Sequence, residues 1–268
     1  MAGYVCTVAG GKGGVGKTTT AVNLAAALEE VGYDVVVVDA DLGMANLAAM
    51  LGVDPEDSIH EVLAGGSAVS AALTDVQGGI TIIPGEQSLE AFADADPAKL
   101  KKVIKTLRNA YDVVLVDTGA GLSHETTIPL GLADGIVLIT TPDDVAIGDA
   151  IKTAELADRV DGEVLGTVIN RVTSETDVED IADEFDSKLL AVIPDDIGAT
   201  EDEPLVFSAP DSPAAEAFTQ LADLLVGVCF EGVEVDDTET VLDSEWFLDE
   251  EKEEDEDDDS GGRFGLFG

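Results

Sequence analysis

The stretch VAGGKGGVGKTTT, residues 8–20, decides the fold. Gly11, Gly16, Lys17 and Thr18 satisfy the spacing G-x-x-x-x-G-K-[ST], directly after the apolar run YVCTVA (4–9) and directly before a helical pattern that opens TTTAVNLAAAL. That context makes the match specific. Glycines let the backbone curl so that successive N–H groups face phosphate oxygens, and the following helix adds its positive end. In such a loop Lys17 bridges the β- and γ-phosphates and Thr18 ligates Mg²⁺. Lys12, five residues ahead of Lys17, is not needed for this arrangement and calls for a reason of its own.

Outward from the loop, short runs rich in Val and Ile recur between longer helical patterns. They are YVCTVA, DVVVVD (34–39), ITIIP (80–84), DVVLVD (112–117), GIVLIT (135–140), VLGTVIN (164–170) and LLAVIP (189–194). Seven unbroken apolar strands alternating with helices predict an α/β fold, a doubly wound and mostly parallel sheet with helices on both faces. Helices are expected at 18–31, stopped by Gly32, and at 98–109, 144–160, 177–185 and 212–230, the last opened by Ser212-Pro213 as cap and first turn. The predicted organisation is one domain over 1–230 and an acidic tail over 231–268. In that tail residues 249–259 hold ten acidic side chains in eleven, so it is expected to be solvated and largely disordered.

A phosphate loop needs a carboxylate at the end of a neighbouring strand, and DVVLVD supplies Asp117, with Gly121 following in DTGAG. A further acidic site closes the second strand, where Asp39 and Asp41 stand two residues apart and share a face of an extended chain end. Three such carboxylates beside one phosphate loop predict metal and water handling, with Thr18, Asp39 and Asp117 at the metal.

The net charge is −44, with 57 acidic and 13 basic side chains. The segment from Glu231 onward holds 17 acidic and two basic residues, so the body is itself acidic over its whole surface. Near 1 M salt the Debye length falls to about 3 Å and that self-repulsion is largely screened, as suits a salt-rich cytoplasm. So few cations also argue against direct DNA binding through the body. Cys6 and Cys229 stand far apart in sequence and read as small buried hydrophobes. No apolar run approaches the roughly 20 residues of a membrane span, and no leader pattern opens the chain. A cytoplasmic, reduced protein is expected.

KGGVGKTT (12–19) resembles the deviant phosphate loop of the MinD/ParA family of ATPases, marked by a lysine just inside the loop's first glycine, and the composition is most like that of a haloarchaeal MinD-type member. The resemblance extends over most of 3–230. It implies ATP and Mg²⁺ as cofactors, held by Gly11, Lys12, Gly13, Gly14, Val15, Gly16, Lys17, Thr18 and Thr19. It also implies a homodimer of ATP-bound subunits in which Lys12 reaches across to the partner's nucleotide. A second cation in a water-poor interface stabilises the charge that develops during phosphoryl transfer, so Lys12 joins Lys17 and Asp41 as the catalytic set.

DADLGMANLAAMLG (39–52) resembles the first switch of that family, which makes Asp41 the carboxylate that positions water and puts Asn46 in the same segment. DTGAGL (117–122) resembles the second switch, with Asp117 near magnesium and Gly121 close to the γ-phosphate. VINR (168–171) nominates Asn170 against adenine and Arg171 beside it. AVIPDD (191–196) resembles the loop that closes over the nucleotide and brings in Pro194.

The chain departs from the family at Gly119, where proline is usual, so a looser second switch is expected. It departs again at its end. MinD proteins close with a basic amphipathic helix, whereas GRFGLFG (262–268) keeps Phe264, Leu266 and Phe267 with Arg263 as its one cation, among glycines that each penalise a helix by about 1 kcal/mol. Peripheral contact with the inner face of the membrane, binding of a protein partner and an inert tail all stay open, as does a fold-back of VLDSEWFLD (241–249) with Trp246 onto the domain.

The function implied is an ATP-driven dimerising switch of slow, Mg-dependent hydrolysis, activated or recruited by a protein partner, that positions a division, motility or polar structure. A ParA-type partitioning ATPase and a nucleotide-gated scaffold with negligible hydrolysis are the alternatives. An iron–sulfur carrier would need clustered cysteines, and a tyrosine kinase of the same superfamily a tyrosine-rich tail. The sequence has neither.

Overall fold

The structure, a computed structural model, describes residues 2–121, 124–195 and 202–233. The acidic block, Trp246 and the terminal GRFGLFG lie outside the described residues. Among the described residues eight strands form one sheet: β1 (Tyr4–Ala9), β2 (Val35–Ala40), β3 (Thr74–Asp75), β4 (Thr81–Ile83), β5 (Val113–Thr118), β6 (Gly135–Thr140), β7 (Val164–Val172) and β8 (Leu189–Pro194). Their order is β3-β4-β2-β5-β1-β6-β7-β8. All neighbours are parallel except the two-residue β3, an antiparallel edge on β4 that the hydropathy pattern did not reveal because so short a pair leaves no period to read.

Alternation along the strands sorts side chains to two buried faces. Val35 and Val37 of β2 belong to one core with Leu115 and Ile139, covered by α1 (Lys17–Glu30) and the last helix, Pro213–Val226. Val36 and Val38 belong to the other with Val114 and Val116, covered by the helices Ile59–Ala64 and Leu100–Leu107. The helix Asp144–Arg159 covers the β6–β7 side of this second face. Burial on both faces explains why the strands read as unbroken apolar runs.

The expected helices are present with shifted ends. The one expected at 98–109 starts as a 3₁₀ turn, Pro97–Lys99, before Leu100–Leu107, and that at 177–185 contracts to Val178–Ala182. The last ends at Val226 and continues as a π turn, Gly227–Glu231. Ser212 caps it by accepting the Ala215 N–H at 3.2 Å, with Pro213 in the first turn. Gly32 follows α1 at φ +94°, and the amides of Gly32 and Tyr33 close the helix on the carbonyls of Glu29 and Leu28.

The segment Pro213–Glu231 is long and apolar enough to cross a bilayer by composition, unlike the expectation from reading runs alone. It instead packs Phe218, Leu221 and Leu225 into the core. Cys6 is buried in β1 and Cys229 half-buried near the end of that helix. Burial pushes both thiols up, Cys229 to about 11.

Phe218 is 1% exposed and Leu89 is 89% exposed. Phe218→Ala should therefore cost about 3–5 kcal/mol in denaturant unfolding at constant high salt, whereas Leu89→Ala should change stability by less than about 0.5 kcal/mol.

Candidate functional site

β1 pairs with β5 on one side and β6 on the other, so the loop that leaves β1 emerges where successive connections diverge to opposite halves of the sheet. In open α/β sheets this switch point is where ligands bind. Two close approaches fix the loop there. A Cβ on Gly11 would run into the backbone carbonyl of Asp149, and one on Gly16, which sits at φ +100°, into the amide of Asn170. The loop is thus a cradle with no room for side chains on its supporting side.

Parallel register puts Asp39 and Asp117 side by side at the ends of β2 and β5. Both are fully buried. Thr18 Oγ1 donates to Asp117 Oδ2 at 2.6 Å, while Asp117 Oδ1 has no partner among the described residues. Burial, reinforced by the charge of Asp39, pushes the Asp117 carboxyl up to about 8. Burial also raises Asp39, to about 6, against the backbone amides that hold it. An orphaned, desolvated carboxylate oxygen beside a threonine hydroxyl is the donor set of a magnesium site whose remaining ligands are water and phosphate. Among the described residues no three His, Cys, Asp or Glu side chains converge as an all-protein metal cage. The residues present therefore fit Mg²⁺ together with a nucleotide.

Asp39 is the member of the expected metal set that is otherwise engaged. It accepts the N–H groups of Asp41 at 3.2 Å, Asn46 at 3.2 Å and Leu47 at 3.3 Å, which makes it the anchor of the loop 41–46. Asp41 itself is half-buried and accepts the Met44 N–H at 3.0 Å. Gly119 leaves room for it, since a Cβ there would stand 2.9 Å from Asp41 Oδ1. Glycine at this position is thus matched to the approach of Asp41.

Lys17 is buried, and its Nζ donates to the Lys12 carbonyl at 3.2 Å. Burial lowers its pKa while Asp117 and Asp41 oppose that shift. Lys12 is turned the other way. Its Nζ meets Asp143 Oδ1 at 2.6 Å, and Asp143 also caps the helix Asp144–Arg159 and accepts the Thr141 hydroxyl at 2.7 Å. The hydrogen bond from Lys12 is the first cause that holds the Asp143 carboxyl down, to about 2. Reading the sequence missed Asp143 as a partner. It looks like a helix cap, which it is, and nothing local links it to a lysine 131 residues away.

Gly121 donates its N–H to the Gly11 carbonyl at 2.8 Å and ties the segment 117–121 to the loop. Asn170 Nδ2 donates to the Val15 carbonyl at 2.9 Å, its Oδ1 accepts the Arg171 N–H, and Arg171 adopts the left-handed φ of +59°. Asn170 therefore backs the loop in this structure. Arg171 lines a cleft of about 520 Å³ with Lys12, Val15, Asp143, Thr173 and Thr176. Pro194 ends β8 opposite Val172, and the loop 196–201 beyond it lies outside the described residues. Gly13, Gly14 and Thr19 complete the loop and the first turn of α1.

Residues 6–203 match the family model described as the CobQ/CobB/MinD/ParA nucleotide binding domain. The chain belongs to this family. An ATP-binding protein of Methanocaldococcus jannaschii is 36% identical over 232 residues, covering 84% of this chain and 88% of that one. The cell division ATPase MinD of Pyrococcus furiosus superposes with a TM-score of 0.80 at 35% identity, covering 84% of this chain and 99% of that one. The septum site-determining protein MinD of Pyrococcus horikoshii, complexed with Mg-ADP, gives a TM-score of 0.80 at 34% identity over 87% of this chain and 99% of that one. The fold is that of the MinD structures, and the match spans the phosphate loop and both carboxylate-bearing strands.

The cradle can be tested by stability alone. Gly11→Ala should destabilise the protein by about 1–3 kcal/mol, because backbone must move to admit the methyl group. Gly13→Ala, whose methyl would meet only Ala120 at 3.9 Å, should stay within about 0.5 kcal/mol of the parent in the same unfolding assay.

Proposed function

We propose that the protein is an ATP-driven, Mg²⁺-dependent switch of the MinD type, which dimerises around bound nucleotide and positions a cellular structure such as a division, motility or polar assembly. The observation that carries this reading is the open Oδ1 of the buried Asp117, set beside Thr18 and level with Asp39. Magnesium bound there would neutralise phosphate charge and orient the β- and γ-phosphates. Thr18 and Asp117 hold its shell, and Asp39 serves the same centre by fixing the loop that carries Asp41. The backbone N–H groups from Gly11 to Thr19 cradle phosphate, and Lys17 leaves the Lys12 carbonyl for the β- and γ-phosphate oxygens. Asp41 orients the attacking water. Gly121 approaches the γ-phosphate, Arg171 and Pro194 take the side of the base, and Asn170 reaches the base only by giving up its bond to the Val15 carbonyl.

In this reading Lys12 acts in trans, on the nucleotide of the facing subunit. Its ion pair with Asp143 is an obstacle of the right size. Both side chains are more than a third exposed, so the pair is worth at most about 1 kcal/mol. A buried contact with a developing phosphoryl charge is worth several times that. The hold on Lys12 is thus sufficient to park the side chain and too weak to prevent its transfer. A ParA-type role on DNA is disfavoured by 13 basic residues against 57 acidic ones, and a protein partner is the fitting activator.

Light scattering at high salt with saturating ATP should find the parent and Asp41→Ala as dimers, the latter persistent because turnover is blocked. Lys12→Ala should bind ATP and remain monomeric, and a dimer with normal turnover in that variant would contradict the scheme. Asp117 supplies a second test. Burial and the charge of Asp39 raise its pKa in the empty site, and a cation placed against it favours the charged form. Binding of Mg-ADP near neutral pH should therefore release protons from Asp117, read by calorimetry in buffers of different ionisation enthalpy. Asp117→Asn should release measurably fewer.

A further inference from the structure

His60 lies in the helix Ile59–Ala64, fully buried, 18 residues beyond Leu42 in the loop that carries Asp41. The helix starts at Ser58, whose hydroxyl accepts the Glu61 N–H while the Glu61 carboxylate accepts the Ser58 N–H. That reciprocal cap fixes the first turn and with it the imidazole. One ring nitrogen, Nδ1, faces the Glu86 backbone N–H at 3.1 Å, and the other, Nε2, faces the Leu42 carbonyl at 2.8 Å. An amide can only donate and a carbonyl can only accept, so the ring is neutral with its proton on Nε2. Both ring nitrogens are satisfied, and both partners are backbone groups.

The two partners belong to one clamp. Leu42 directly follows Asp41 and is buried. Glu86 lies in the segment 85–87, which holds the same loop at one more point and its anchor Asp39 at another. Gln87 Nε2 donates to the Ala45 carbonyl at 2.7 Å, and the Gly85 N–H is directed at Asp39. Gly85 also passes so close that a Cβ there would strike the Ala45 side chain. The front of the loop is open, with Met44 77% exposed. Among the described residues the holds on the loop that carries Asp41 come from Asp39, from the segment 85–87 and from His60, which grips Leu42, the residue after Asp41.

Resting on the reading of Asp41 as the group that orients water, we propose that His60 is a positioning residue for ATP hydrolysis, which donates from Nε2 to the Leu42 carbonyl and so sets the reach of the Asp41 carboxylate. His60 touches neither nucleotide nor metal. It acts through the Leu42 carbonyl, one residue along the chain from Asp41, so a shift of Leu42 is passed along the backbone to Asp41.

The two arms of the imidazole can be separated by amide side chains. His60→Gln can still present a donor near Nε2, whereas His60→Asn can present an acceptor near Nδ1 but no donor that reaches Leu42. Steady-state turnover of Mg-ATP by the full chain is measured for the parent, Asp41→Ala and both variants. His60→Asn should lower kcat about ten- to hundred-fold, the range seen when a supporting group behind a site is removed, with KM within about two-fold of the parent. His60→Gln should restore at least half of the parental kcat.

Turnover by His60→Asn equal to the parent would overturn the role of His60, and so would equal loss of kcat and affinity in both variants. A parent that hydrolyses, with an inactive Asp41→Ala and a fully active His60→Asn, sinks this inference alone, whereas a parent without hydrolysis sinks the functional reading with it. Nitrogen NMR of the unaltered protein, which has only two histidines, gives a test independent of the variants' folding. The Nε2–H tautomer of His60 is expected, and an Nδ1–H tautomer would overturn the proposal.

Discussion

Two carboxylates buried side by side are the constraint around which the rest of this molecule is arranged. Asp39 and Asp117 are brought level by parallel pairing of β2 with β5, in the interior of a sheet covered on both faces. Among the described residues neither forms an ion pair with a basic side chain. The protein resolves their mutual repulsion asymmetrically. Asp39 is surrounded by backbone N–H groups and becomes a fixed anchor, while Asp117 keeps one hydroxyl partner and one empty lone-pair direction. A buried charge without a partner is expensive, so the empty direction stores a demand for a cation.

What surrounds the pair divides into parts that are fixed and parts held loosely. The phosphate loop is backed by Asn170 and by Gly121, and its glycines press against neighbouring backbone. Lys12, by contrast, hangs on a half-exposed ion pair, and the loop 41–46 is secured from one side only. This division suits a molecule in which phosphate is gripped permanently and two groups, a lysine and a carboxylate, are free to respond to what is bound. Membership of a family that includes MinD proteins is consistent with such a division, and a surface with so few cations narrows the partners to those that tolerate dense negative charge.

Much of this was legible in the residues. The seven apolar runs became strands because each is buried on both faces, and the glycine loop between YVCTVA and TTTAVNLAAAL could hardly be read otherwise. Short elements escaped. β3 has two residues, and the helix Ile59–Ala64 has six, although Ser58 and Glu61 carry the spacing of a reciprocal cap that would have announced it. Long-range partnerships escaped as well. Asp143 and His60 are placed by tertiary packing, at separations where no local pattern speaks. Asp39 was legible as an acid at a strand end, but its service to the loop 41–46 depends on where Asn46 and Leu47 return in space.

The central claim is that Asp117 holds its last lone pair for a metal that arrives with nucleotide. Electron paramagnetic resonance of Mn²⁺ in place of Mg²⁺ tests it most directly. With ADP present, the protein should convert free Mn²⁺ to a bound signal at one equivalent per chain. Without nucleotide the ion should stay essentially free. Tight Mn²⁺ binding to the nucleotide-free protein, or undiminished binding with ADP after Asp117→Asn, would contradict the account.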